Sequence, residues 1–183
     1  MIGLFNFYKK NSEKKIVKLK EFLESETNVT LLGWESPIGR MDGVVLSGSE
    51  RLITKDDYED GWLSFIRNAS IPIIGICFGF QLICRAFGAV FERKENIKRL
   101  VEISKLREHP LINGIPNVAK LPESHEEYVT AVMDPLLPIM ASDYCIEAVI
   151  HREKPIFGTQ FHFERSDKYG RRILKNFLKL IEQ

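Results

Sequence analysis

Cys77 stands between two glycines in the run PIIGICFGFQ, residues 72–81. A strand that only fills a core has no use for Gly75 and Gly79 around one sulfur. A nucleophile on a tight strand-to-helix bend does: it sits at positive φ, where bulky neighbours two residues to either side would collide. Cys77 would then meet the first turn of a helix, whose partial positive charge favours the thiolate. The next amide, that of Phe78, would face a developing oxyanion. The same pattern also suits a buried structural cysteine with glycines for close packing. Cys84, seven residues on along the same helix face, and Cys145, in a strand-like run, read as core.

A cysteine nucleophile needs a base, and the chain carries four histidines. His109 precedes a proline in a turn-like stretch, and His151 lies at a strand end beside Arg152; both read as structural or exposed. His162, in GTQFHFE, is followed two residues later by Glu164. In an extended chain these side chains point the same way, so the carboxylate can hold one imidazole nitrogen and leave the other for the thiol. Taken alone, this is a strand-end histidine beside a surface glutamate. Joined to a cysteine bend, the Cys…His-x-Glu reading is the better one.

The elements that must place these groups alternate along the chain. IGLFNF reads as a first strand, residues 12–24 as a helix with Ile16, Leu19 and Leu23 on one face, and NVTLLGW and DGVVLSGS as strands. Thr54 to Asp57 reads as a capping box opening a helix with Tyr58, Trp62, Phe65 and Ile66. IPIIGI, apolar on both faces, reads as a central parallel strand. FGFQLICRAFG follows as a buried helix closed by Gly88. From Ala89 to Phe161 the pattern predicts short strands and turns, before an amphipathic C-terminal helix with Tyr169, Ile173, Phe177 and Ile181 inward. The expectation is an α/β fold, a mostly parallel central sheet flanked by helices, in a single domain over residues 1–183.

Composition bounds the function classes. Lys and Arg number 26 against 25 Asp and Glu, so no overall basic field argues for nucleic acid. Three cysteines without CxxC spacing argue against a disulfide framework and a zinc site, and suit a reducing cytoplasm. The N-terminus shows no basic leader. Residues 71–91 are apolar, yet Pro72, Gly75, Gly79, Gln81, Arg85 and Gly88 interrupt them, which fits a strand–bend–helix unit rather than a membrane span.

Four blocks together resemble the class I (triad) glutamine amidotransferases, over nearly the whole chain from Asp42: DGVVLSGS, GICFGFQL, SHEEYV and GTQFHFE. Within that class, residues 141–164 look most like the glutaminase part of GMP synthetase. The resemblance implies a flavodoxin-like fold and no metal or cofactor. It implies that Cys77 attacks the side-chain amide of L-glutamine, that His162 moves the proton and that Glu164 orients His162. The amides of Phe78 and of the Gly48–Ser49 turn would form the oxyanion hole. Gln81 and the Ser124–His125 loop would hold the amino-acid end of the substrate, His125 without proton chemistry. No pyrophosphatase loop or GxxxxGK[ST] is present, so the ammonia would pass to a separate ATP-dependent synthetase.

Three departures stand against that pattern. Ser47-Gly48-Ser49-Glu50 replaces two glycines and a proline, and would strain Ser49 if that position needs positive φ. Phe163 replaces a proline between His162 and Glu164, tolerably if the chain is extended there. LFNFYKKNSEKK lacks the family's usual pattern after the first strand, which bears on the acceptor of the ammonia. Two other readings follow: a catalytically degenerate scaffold of the same fold, and a DJ-1-like or peptidase-like cysteine hydrolase. The latter would place a histidine where Phe78 stands.

Overall fold

The computed structural model describes residues 1–33, 36 and 41–182. Its strands are β1 (Ile2–Phe5), β2 (Val29–Leu32), β3 (Gly43–Leu46), β4 (Ile73–Ile76), β5 (Val90–Lys105), β6 (Val118–Ala131), β7 (Leu136–Ala141), β8 (Ile146–His151) and β9 (Ile156–Thr159). Its α-helices are α1 (Ser12–Glu24), α2 (Gly61–Asn68), α3 (Phe78–Ala86) and α4 (Gly170–Ile181). The strands form one sheet in the order β2-β1-β3-β4-β9-β8-β7-β5-β6. The first five in that order run parallel, and the rest pair antiparallel.

Burial explains the parallel half. GVVL and IIGI are buried along their whole length, because helices cover both faces, and β-branched side chains fill that space well. Ile16, Leu19 and Leu23 of α1 join Ile173, Leu174 and Phe177 of α4 in one core. Trp62 and Ile66 of α2 join Phe80, Leu82 and Ile83 of α3 in the other. No helix among the described residues is long and apolar enough to cross a membrane.

Several expectations shift. The helix predicted from Thr54 begins instead at Gly61; residues Ile53–Lys55 make a single 3₁₀ turn, and Asp56 at φ 50° breaks the chain direction. The capping-box residues therefore cap no α-helix, and Tyr58 precedes α2. The short strands expected after Ala89 include two long ones, of 16 and 14 residues. The β5 run is charged and mostly exposed, so its strand character leaves little apolar pattern to read. Cys145 is buried but lies in the β7–β8 turn. The strand expected over residues 28–34 is seen at Val29–Leu32, and Trp34 lies outside the described residues.

Candidate active site

The two glycines around Cys77 have a steric cause. A Cβ on Gly75 would lie 2.4 Å from the carbonyl of Gly79, and one on Gly79 would lie 2.4 Å from the carbonyl oxygen of Leu46. Both are backbone contacts that no side-chain motion relieves. Cys77 itself sits at φ 52°, ψ −102°, a conformation that L-residues rarely adopt. Strain of that kind persists only where the surroundings impose it. Here the Cys77 amide donates to Thr159 O of β9 at 2.8 Å, and the Gly79 amide donates to Ser47 O after β3 at 3.2 Å. The C-terminal ends of β3, β4 and β9 are thereby locked around the sulfur.

His162 is brought to the same corner by a different route from the one expected. The strand ends at Thr159, and His162 caps a 3₁₀ turn at Phe163–Arg165. His162 Nδ1 and Glu164 Oε1 lie 2.7 Å apart. The pairing is as expected; the extended backbone is not. Phe163 is fully buried and packs edge-on against Phe22 of α1, with ring centroids 6.1 Å apart. It therefore anchors the turn, in place of the strand alternation. The His162 amide donates to Pro122 O on β6 at 2.9 Å.

Gly48 lies between Cys77 and His162. A Cβ there would sit 3.0 Å from His162 Cε1 and 3.6 Å from Cys77 Cβ, so the missing side chain is what lets the sulfur and the ring face each other. At rest the thiol donates to Ser124 O at 3.7 Å. Burial opposes the imidazolium of His162, yet the Glu164 carboxylate and the Cys77 sulfur outweigh it and push the ring up to about 10. Burial likewise opposes the Glu164 charge, but His162 and then Arg165, 3.3 Å away, hold that carboxyl below its ordinary range.

The departures in the turn after β3 prove to be tied to the departures in the N-terminal segment. Ser47 Oγ accepts the Phe7 amide at 2.9 Å and donates to Gly48 O at 2.9 Å. Ser49 Oγ donates to Phe7 O at 2.7 Å and accepts the Arg51 amide at 3.1 Å. Glu50 accepts the amides of Lys9 and Lys10. Ser49 is not at positive φ, so the strain expected there is absent: hydrogen bonds fix the turn that glycines and a proline would otherwise shape. Among the described residues, the amides of Gly48, Ser49 and Phe78 donate to no protein acceptor.

A cavity of about 290 Å³ opens on Cys77, walled by Gln81, Ser49, Ser124, His125 and His162 among others. Gln81 is buried, and both its amide protons are committed, to Glu127 O and Gln160 Oε1, each at 3.1 Å. Its carbonyl oxygen remains for the cavity. Ser124 and His125 lie within β6 rather than in a loop. His125 is buried, and burial lowers its basicity.

Sequence reasoning misses several residues of this wall. Glu127 is buried and its carboxylate accepts the amides of Ile53 and Thr54 at 2.7 and 2.8 Å; its spacing of two from His125 is the available signal. Gln160 does not line the cavity but supports Gln81 from behind it, accepting its amide at 3.1 Å; it stands in GTQFHFE without a pattern of its own. Asn96 and Lys98 reach the cavity from β5, whose charged pattern reads as surface. Tyr8, also on the wall, is buried enough that burial, then Glu164, keeps its hydroxyl protonated; nothing in NFYKK points to it. Among the described residues no group of His, Cys, Asp or Glu has a metal-holding arrangement.

Comparison with known proteins places this geometry. The glutamine-hydrolysing GMP synthase subunit of Methanococcus maripaludis is 36% identical over 140 residues, covering 75% of this chain and 72% of that protein. Its Pyrococcus furiosus counterpart is 36% identical over 141 residues, covering 75% and 74%. A Thermoplasma acidophilum protein described as a GMP synthase subunit has the same fold, with TM-score 0.84 at 24% identity over 99% of this chain and 93% of that one. A Thermotoga maritima glutamine amidotransferase superposes with TM-score 0.77 at 16% identity, covering 100% and 99%. Residues 4–181 match the family described as glutamine amidotransferase class-I, and the chain belongs to that family.

Proposed function

We propose that this chain hydrolyses the side-chain amide of L-glutamine and supplies the ammonia to a separate ATP-dependent synthetase of the GMP synthase type. The observation that carries the reading is the strained Cys77 corner facing the His162–Glu164 pair across Gly48. Cys77 sulfur attacks the amide carbon, and its proton passes through His162 to the departing ammonia. A γ-glutamyl thioester remains. His162 then takes a proton from water, hydroxide attacks the thioester, and glutamate leaves as the thiol is restored. Glu164 holds Nδ1–H throughout, keeping Nε2 for the transfer.

The unengaged amides of Phe78, Gly48 and Ser49 would receive the oxyanion, each such donor being worth roughly 3 kcal/mol. Gln81 would offer its carbonyl oxygen to the substrate's α-ammonium, and Lys98 its charge to the α-carboxylate. The relatives named as glutamine-hydrolysing GMP synthase subunits support a GMP-forming synthetase as the partner. What supports turnover over a scaffold role is the bonding of Ser47, Ser49, Glu50 and Phe163, the departing residues, into a fixed corner.

The test is glutamate release from glutamine by the chain alone and with a GMP synthase subunit carrying the ATP site. Release that depends on Cys77 and rises with the partner is expected. A Cys77→Ala variant that keeps the full rate refutes the nucleophile, and stimulation by no such subunit refutes the partner.

A further inference from the structure

Behind the β6 wall of the cavity lies a second group of ionisable side chains that the reaction does not use. Glu123 on β6 and Glu147 on β8 are 3% and 1% exposed, within hydrogen-bonding reach of each other. Ser142 Oγ donates to Glu147 Oε1 at 2.6 Å, and the Cys145 thiol reaches the same oxygen at 3.3 Å. If both carboxyls were ionised, Glu123 Oε1, Glu123 Oε2 and Glu147 Oε2 would be buried with no donor, and His125 Nε2 would also lack a partner. Four orphaned polar atoms in one cluster is far from the usual economy of a protein interior.

The tautomer of His125 resolves the puzzle. Its Nδ1 lies 2.8 Å from Glu127 O, and a carbonyl only accepts, so Nδ1 carries the hydrogen. With the ring neutral, Nε2 is a bare acceptor, and it lies 3.1 Å from Glu123 Oε2. Two acceptors do not sit at that distance in a buried site unless one holds a proton. Two carboxyl protons satisfy all four atoms in a single direction. Glu147 donates to Glu123, Glu123 donates to His125 Nε2, and His125 donates to Glu127 O.

We propose that Glu123 is a positioning residue: protonated, it links Glu147 to His125 and fixes the β6 segment whose Ser124 carbonyl receives the Cys77 thiol, without placing a charge beside the sulfur. The role rests on the reading of Cys77 as nucleophile. Burial, with smaller contributions from Cys77 and Glu164, pushes Glu123 up to about 8, and burial holds Glu147 well above its ordinary range. The titratable groups facing Glu123 are Glu147 and Cys145 from the β8 side, Cys77 from the corner after β4, His162 and Glu164 from the turn after β9, and His125 and Tyr128 on β6 itself. Above about pH 8 the Glu123 proton leaves. The carboxylate and His125 Nε2 then repel, and a negative charge appears beside the sulfur that must itself carry one. Turnover falls.

Two measurements test this. Infrared titration of the intact chain should show buried protonated carboxyls at pH 7, one of which ionises near pH 8 and is missing in Glu123→Gln. This readout needs no turnover, so it stands apart from the glutaminase reading. The second is the pH profile of glutamate release. At pH 9 the wild type should retain about a tenth of its pH 7 kcat/KM, following a single group near 8. Glu123→Gln keeps a donor toward His125 and cannot ionise, so its alkaline limb should move up toward that of His162. Fully ionised carboxyls at pH 7, or alkaline limbs that coincide in wild type and Glu123→Gln, overturn the proposal. If Glu123→Gln does not fold, the wild-type infrared titration decides alone.

Discussion

Removing the charge of Glu164 while keeping its shape, as Glu164→Gln, isolates what the carboxylate does for His162. The ring is pushed from its ordinary 6.5 to about 10. At about 1.4 kcal/mol per unit this is on the order of 5 kcal/mol favouring imidazolium over neutral ring. Glutamine removes the charge and leaves only the Cys77 sulfur to offset burial, so the ring should titrate well below the wild type. Glutamine can also donate its amide to Nδ1, which places the ring hydrogen on Nε2 and leaves that nitrogen unable to accept the thiol proton. In serine triads the equivalent error of tautomer costs roughly 10⁴ in turnover, and a loss of that order is expected here. The assay is ¹⁵N NMR of the His162 ring against pH, beside glutamate release. Wild type should titrate near 10 and the variant clearly lower. The sign carries to stability: the stabilisation of the imidazolium is complete below pH 6.5 and is lost as pH rises through about 10. The wild type should therefore lose thermal stability across that window, and the variant should not lose this component. A variant ring that titrates with the wild type, or turnover within about threefold of it, would show that Glu164 does not control the base.

Other variants probe the corner and its supports. Gly79→Ala drives a Cβ to 2.4 Å from the Leu46 carbonyl oxygen; a loss of about 1–3 kcal/mol should appear in thermal or urea unfolding. Cys77→Gly should be more stable than Cys77→Ala by about 1 kcal/mol, because only glycine is at ease at φ 52°, although neither should release glutamate. Glu50→Ala removes the acceptor of the Lys9 and Lys10 amides and should cost about 1 kcal/mol at neutral pH. Partial burial opposes the Glu50 charge, but those amides and Lys15 hold the carboxyl below 4.5. Its contribution is thus present above pH 4.5 and fades as pH falls through the lowered value, where variant and wild type should converge in unfolding midpoint.

The corner around Cys77 is legible in the sequence because sterics and spacing leave few options there. Gly75 and Gly79 are dictated by backbone approach, and that constraint shows as two glycines around a cysteine. The parallel strands are legible because burial on both faces demands unbroken apolar runs. The turn bearing His162 and Glu164 is not: a spacing of two serves an extended strand and a 3₁₀ turn alike, and only the burial of Phe163 under α1 decides between them. The long β5–β6 pair escapes because its exposed face carries charges without apolar alternation. Tyr8, Asn96 and Lys98 reach the cavity only through the sheet order, which local pattern does not encode. The serine-rich turn after β3 reads as a defect because its compensation lies some forty residues away, in the backbone of residues 7–10.

The proposed function makes the Cys77 sulfur, held at a strained corner near His162, the atom that reacts with the glutamine side chain. A diazoketone analogue of glutamine, followed by intact mass and peptide mapping, reports on that atom. One adduct per chain is expected, on Cys77, suppressed by excess glutamine and missing from Cys77→Ala. An adduct on Cys84 or Cys145, or labelling of Cys77 that glutamine does not suppress, would overturn the assignment of the site.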